Sequence, residues 1–384
     1  MKTVTSLITR GKIDLSVIAR DLPGVEVEVR DDTLILTRKW TVRGIKRTRA
    51  TIIGRFADAG KFATLLGLQR SEGLKDGTRV RFSNTEPILH RMFVEPLREL
   101  GINDFRVHAY YCYCQRCGLK KLRDAIDEFE KVTQLKVRRV YVNRHAHRPV
   151  FQVDVNDRIV AMLLLRAEEL LRKLAVKGLL PKEIVSKYVF GTLEGDGNVE
   201  LRLKKSMNTD CEKADGLFLR ISEKDAEAAA DLKEIFRRYF GIRLHSYGYD
   251  HIGSINLRRA LTLLKDGVIP LRHRDKVVTR VMLAFRRKGL PWILLQLADS
   301  FRDRWFTARE ASKVLGKRCN HVREKLAALE KEGFLTSIKC KFSLNRKGTP
   351  IRRIYRLTER AMQIARLLSS FPPLNTFSFF GKSY

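Results

Sequence analysis

Two short segments of the chain end alike. Residues 63–73 read Ala-Thr-Leu-Leu-Gly-Leu-Gln-Arg-Ser-Glu-Gly, and residues 187–197 read Lys-Tyr-Val-Phe-Gly-Thr-Leu-Glu-Gly-Asp-Gly. At an offset of 124 residues, Gly67 aligns with Gly191, Ser71 with Gly195, Glu72 with Asp196 and Gly73 with Gly197. A carboxylate at a helix C-terminus is badly placed for stability, because that end is already partly negative. Packing two such ends together adds like-charge repulsion. Divalent cations, Mg2+ or Mn2+, would resolve both problems, since hard cations take oxygen ligands and oppose the charge. Paired carboxylates that share metal ions beside a basic surface suit phosphodiester hydrolysis, with activation of water and stabilisation of the leaving oxygen. Glu72 and Asp196 are therefore the candidate catalytic and metal-ligating residues. The glycine after each is expected to form a left-handed helix cap.

The elements around them must bring the two acids together. Gly67 with Ser71, and Gly191 with Gly195, make a small-x-x-x-small stripe on each helix. Small residues allow close backbone approach, so these four positions are the expected interface between the helices. Leu65, Leu66 and Leu68, and Val189, Phe190 and Leu193, would face the core on either side. Two further landmarks recur in the same order. Leu97-Arg98-Glu99-Leu100-Gly101-Ile102 matches Arg237-Arg238-Tyr239-Phe240-Gly241-Ile242, and a third helix opens at Asn156 and again at Asn256. This is a tandem duplication. The first copy holds 40 extra residues between its second and third landmarks, and such an insertion is expected on the surface.

Leu66-Gly67-Leu68 with Glu72-Gly73, and Phe190-Gly191-Thr192-Leu193-Glu194-Gly195-Asp196-Gly197, resemble the two motifs of the LAGLIDADG (DOD-type) homing endonucleases. The resemblance covers about residues 50–285, and the second motif is the stronger. It implies an α+β fold with two pseudo-symmetric αββαββα repeats whose strands form a saddle on duplex DNA. It further implies that Glu72 and Asp196 bind Mg2+ and that both strands are cut across the minor groove. Two departures stand out. The first motif ends Gln69-Arg70-Ser71-Glu72, where the family more often has two acids. Many active members also carry a lysine just before the third helix, where this chain reads Val153-Asp154-Val155-Asn156 and Gly253-Ser254-Ile255-Asn256. Lys75, Lys204 and Lys205 are expected on strands following the motifs, and Lys204 and Lys205 as DNA contacts. Glu194 reads as a solvated charge, the other reading being a further ligand.

Composition agrees with a polyanionic partner. Lys and Arg total 76 against 43 Asp and Glu, a net charge of +33 spread along all segments. A surface of this sign attracts phosphate backbones. No apolar run is long enough to span a membrane, and Met1 to Ile8 lacks the core of a signal peptide. Six cysteines point to a reducing, cytoplasmic setting rather than a disulfide scaffold. Cys112, Cys114 and Cys117 cluster, but no second Cys-x-x-Cys follows, so free thiols are expected over zinc.

From Leu290 onwards the pattern is three helices and a basic hairpin. Pro291 to Ala298 is an apolar helix, Thr307-x-x-Glu310 is a capping box, and Asn320 is the expected cap of the next helix. Strands follow at Ile338 to Leu344 and Arg352 to Leu357. This is the order of a winged helix-turn-helix, whose second helix enters the major groove. Lys317, Arg318, His321, Arg323 and Lys325, with Arg346 and Lys347 on the wing, are the expected DNA contacts.

The expected organisation is a β-hairpin extension (1–50) and a first repeat (51–175) with a basic, Cys-containing insertion at about 104–144. A second repeat (176–287), a winged helix (288–370) and a tail (371–384) follow. The functional expectation is a monomer with internal pseudo-twofold symmetry that binds double-stranded DNA and cleaves it with Mg2+. The alternative is a catalytically degenerate LAGLIDADG and winged-helix transcriptional regulator, or an RNA-intron maturase on the same scaffold.

Overall fold

The structure is a computed structural model, and it describes residues 7–111, 119–143, 148–206, 209–271, 277, 290–341 and 351–369. The chain divides into two compact units, Met1–Arg202 with Asp215–Val277, and Leu203–Ala214 with Val278–Tyr384.

The first unit begins with β1 (Ile8–Thr9), β2 (Lys12–Asp14) and the short α1 (Leu15–Ala19), which Asp14 caps. A three-stranded antiparallel sheet follows, of β3 (Val25–Arg30), β4 (Thr33–Val42) and β5 (Ile45–Gly54). A hairpin over residues 1–50 was expected; β5 runs on past residue 50, and the extension is a three-stranded sheet. Leu34, Leu36 and Ile53 bury its base. Strand β6 (Phe56–Asp58) pairs with β2 and leads into α2 (Ala59–Glu72), capped by the Asp58 side chain on the Lys61 amide at 2.8 Å. Helix α2 is buried on all sides from Phe62 to Arg70, as suits a helix enclosed by others.

After α2 come β7 (Val80–Asn84), α3 (Pro87–Glu99), β8 (Arg106–Tyr111), α4 (Leu119–Thr133), β9 (Val137–Val142), β10 (Val150–Val155) and α5 (Arg158–Val176). The four strands form one sheet in the order β7-β10-β8-β9. This run departs from helix-strand-strand-helix: where a strand should follow α2, Gly73 makes only a single bridge to Phe82. The expected surface insertion is also corrected. Strand β8 lies inside the sheet, and β9 pairs parallel to it. A parallel connection needs a crossover of a dozen residues or more, which α4 supplies. Phe129 of α4 is fully buried and stacks on Phe151 of β10 at 4.2 Å, so the segment helps build the core.

The next run is α6 (Lys182–Asp196), β11 (Gly197–Ser206), β12 (Thr209–Ser222), α7 (Ala226–Phe240), β13 (His245–Tyr247), β14 (Asp250–Ser254) and α8 (Leu257–Lys265). Here the order is helix-strand-strand-helix-strand-strand-helix, with the sheet arranged β11-β12-β14-β13. Asn256 caps α8 as expected, whereas α5 is capped one residue later than expected, by Asp157.

In the second unit, α9 (Leu290–Phe301) and β15 (Phe306–Thr307) precede α10 (Ala308–Leu315) and α11 (Cys319–Lys331). The antiparallel pair β16 (Leu335–Lys341) and β17 (Ile351–Leu357) and then α12 (Glu359–Ser369) complete it. The Thr307–Glu310 capping box is formed. Asn320 does not cap α11: Arg318 occupies that position, and its carbonyl accepts the first helical bond, from the Val322 amide at 3.1 Å. Residues 342–350, including Arg346 and Lys347, and Cys112, Cys114 and Cys117 lie outside the described residues.

Candidate functional site

Helices α2 and α6 cross at their glycines. A Cβ built on Gly67 would lie 2.2 Å from the Tyr188 carbonyl oxygen and 3.0 Å from the Gly191 Cα. One built on Gly191 would lie 2.4 Å from the Thr64 carbonyl oxygen. No side chain fits at either position without separating the helices. Ser71 Oγ donates within its own helix to Gly67 O at 3.2 Å and reaches Gly191 O across the crossing at 3.4 Å. One turn on, a Cβ on Gly195 would lie 2.2 Å from Ser71 Oγ and 2.8 Å from Glu72 Cγ. The stem of Glu72 thus lies against the residue that precedes Asp196.

Both helices end at their acids. Glu72 is half-buried, and Asn84 Nδ2 donates to its Oε1 at 3.4 Å. Asp196 is the last residue of α6; its side chain lies outside the described residues, as do those of Lys204 and Lys205 on β11. The following glycines are not left-handed caps. Gly73 (φ −89°, ψ 158°) and Gly197 (φ −87°, ψ 146°) are extended. Glycine is needed there for space, because a Cβ would stand 2.2 Å from Gln69 O and 2.5 Å from Leu193 O respectively. Lys75 sits exposed in the connection after α2 rather than on a strand.

Glu194 is not a solvated charge. It is 1% exposed, and its Oε1 accepts the Leu271 backbone amide. Arg70, which stands where a second acid was expected, is buried in an ionic cluster. Its guanidinium donates to Glu168 at 3.0 Å and to Glu223 at 2.5 Å. Tyr188 of α6 donates its hydroxyl to Glu168 at 2.6 Å, and Arg172 bridges Glu168 and Asp231. Burial opposes the Arg70 charge, but the carboxylates of Glu168 and Glu223 outweigh it and hold the guanidinium above its ordinary pKa. Burial, followed by Glu168, pushes the Tyr188 hydroxyl well up, so it remains a proton donor. The cluster ties α2, α5, α6 and α7 together behind the crossing.

The β7-β10-β8-β9 sheet has a polar face that the sequence reading passed over. Phe82, Val107, Phe151 and Val153 are buried on the helix side. Alternation therefore puts Arg81, Arg106, His108, Tyr110, Gln152 and Asp154 on the other face. There Asp154 accepts from Arg81 at 2.7 Å and from Gln152 at 2.6 Å, and Tyr110 stacks on Tyr141 at 5.4 Å. The signal was present as period-two spacing in Val80 to Ser83 and Arg106 to Tyr110. In the second unit, Lys317, Arg318, His321 and Arg323 are exposed and Lys325 is half-buried. Helical spacing sets His321 and Lys325 on one flank of the buried Val322–Leu326–Leu329 stripe and Arg323 on the other, so these residues do not form a single face.

Among the described residues, no group of three or more His, Cys, Asp or Glu side chains is arranged to hold a metal ion. Among them, too, no helix is long and apolar enough to cross a membrane. No protein-family model matches the chain, and no curated protein matches it. Solved structures that resemble it include the N-terminal LAGLIDADG domain of DUF199/WhiA, at 11% identity over 56% of this chain and 85% of that one, with a TM-score of 0.32. Meganuclease I-SmaMI bound to uncleaveable DNA with a TTGT central four is 12% identical over 59% of this chain and 90% of that one, with a TM-score of 0.34. The same meganuclease with a TTCT central four is 11% identical over 70% of this chain and 97% of that one, with a TM-score of 0.33.

Proposed function

We propose that the protein binds a specific double-stranded DNA site and hydrolyses its phosphodiester bonds with Mg2+ or Mn2+, as a LAGLIDADG-type homing endonuclease. In this reading the chain works as a monomer whose two helix-and-sheet runs are pseudo-twofold related, and the second unit is a winged helix-turn-helix that lengthens the footprint. One observation carries it: the glycine crossing sets Glu72 against Gly195, and so brings two acid-bearing helix ends to one place. The donor chemistry fits. Mg2+ keeps several waters and needs only one or two carboxylates, so Glu72 and Asp196 suffice without a third side chain. A bound divalent ion would activate water and stabilise the leaving oxygen. The protein's part is to hold the two carboxylates at the crossing and to carry the DNA on basic strands.

A second reading is a DNA-binding regulator that does not cut. It is favoured by the strand before α5, which offers Gln152 and an Asp154 already paired with Arg81 in place of a lysine. The two readings separate on one experiment. The full chain is incubated with a randomised duplex library and Mg2+ or Mn2+, and both bound and cleaved molecules are sequenced. The nuclease reading expects a cleaved consensus that disappears in Asp196→Asn, with the bound consensus kept. A bound consensus with no cleavage under either metal selects the regulator, and cleavage unchanged in Asp196→Asn removes the metal role.

A further inference from the structure

The β4–β5 ribbon departs from what stability alone would select. Its strands pair from Thr33↔Gly54 to Val42↔Ile45 and turn through Arg43 (φ 49°) and Gly44 (φ 77°). Two successive residues at positive φ form the tight turn that matches the twist of a ribbon. The base is anchored by Leu34, Leu36 and Ile53, and by Arg49 and Thr51, which both bond Asp157 at the start of α5. Beyond that the ribbon is bare, and residues 41–50 are all exposed.

Residues 38–49 read Arg-Lys-Trp-Thr-Val-Arg-Gly-Ile-Lys-Arg-Thr-Arg, six cations with no carboxylate. Arg38 stands directly opposite Arg49, a like-charge pairing that destabilises a sheet. Glu26 answers Lys39 and Asp157 answers Arg49. Among the described residues, Arg43, Lys46 and Arg47 have no acidic partner. Alternation puts Arg47 on one face with Trp40 and Lys46 on the other with Thr41, while Arg43 is at the tip. Cations therefore point both ways from a two-stranded element that rises roughly 17 Å from Arg38 to the turn, at about 3.4 Å per residue.

We propose that the tip of this ribbon is a separate DNA-anchoring element, which inserts into the major groove of duplex DNA with Arg43, Lys46 and Arg47 on the phosphates of the two walls. This rests on the reading of the protein as a duplex-DNA binder. The shape selects the occupant: the major groove of B-form DNA, about 12 Å wide, admits a two-stranded ribbon. The deep, narrow major groove of A-form RNA does not.

The test compares the full chain with its Arg43→Ala/Lys46→Ala/Arg47→Ala variant, by fluorescence-anisotropy titration against duplex DNA and double-stranded RNA of matched sequence over a series of salt concentrations. On DNA, the slope of log affinity against log salt becomes shallower by about 2.7 in the variant, at about 0.9 per phosphate contact. On RNA the two proteins have the same slope. Arg43→Lys/Arg47→Lys keeps the DNA slope, and thermal melts of all forms coincide, since the altered side chains are exposed and make no ion pair among the described residues. Unaltered DNA binding with an unchanged slope in the triple variant overturns the ribbon alone, and so does an equal loss on RNA. Absence of duplex binding by the unaltered chain overturns the DNA reading itself and the ribbon with it.

Discussion

Gly67 and Gly191 meet so closely that a methyl group on Gly67 would come 3.0 Å from the Gly191 Cα and overlap the Tyr188 carbonyl. Intrinsic propensity favours alanine over a mid-helix glycine by about 1 kcal/mol, so Gly67→Ala should stabilise an isolated helix. Here the overlap is with backbone, which cannot move aside as a flexible side chain would. We expect a net loss of roughly 2 kcal/mol for Gly67→Ala, and the same direction for Gly191→Ala, from urea unfolding. A gain in stability would mean that the helices do not cross at these positions.

Glu72 makes the opposite prediction for stability. Its charge sits at the negative end of α2, so Glu72→Gln should stabilise the fold by about 0.3–1 kcal/mol. The same substitution should abolish cleavage of the selected duplex while leaving binding within a few-fold. Rising stability with lost activity is the signature of an acid retained for chemistry. A destabilised Glu72→Gln protein would assign the carboxylate a structural role.

Arg70 should behave as a structural ion. It is 8% exposed, and its loss leaves Glu168 with Arg172 alone and takes away the cation that Glu223 pairs with. Arg70→Met should cost about 3–5 kcal/mol in chemical denaturation. Adding Glu223→Gln to it should recover part of that loss, because the two changes act on one network. Simple additivity of the two would show that the pair is not coupled.

His90 gives a pH dependence of definite sign. It is fully buried among Phe82, Phe129 and Phe151, and burial lowers its pKa to about 4, against a smaller raising effect from its bond to Asn84 O. The unfolded chain takes up this proton near pH 6.5 and the folded chain does not. Stability is therefore complete above that pH and falls as the pH drops towards about 4, by roughly 3 kcal/mol in all. Urea midpoints between pH 7 and 4.5 should show this slope, and His90→Phe should flatten it. An unchanged slope would place the titration elsewhere.

Local chemistry was legible in the residues themselves. The Thr307–Glu310 box, the Asn256 cap and the small-residue stripe on α2 and α6 rest on interactions within a few positions of chain, or on side-chain volume. What pairs across long separations was not. The burial of Glu194, the ionic partners of Arg70, the extended form of Gly73 and the place of α4 in the core each depend on an element tens of residues away, or on how tightly a helix end is packed. A residue's type sets which bonds it can make and the space it requires. Only the assembled fold decides which partner stands within 3 Å of it, because neighbours from distant segments determine whether a charge meets water, a counterion or a backbone amide.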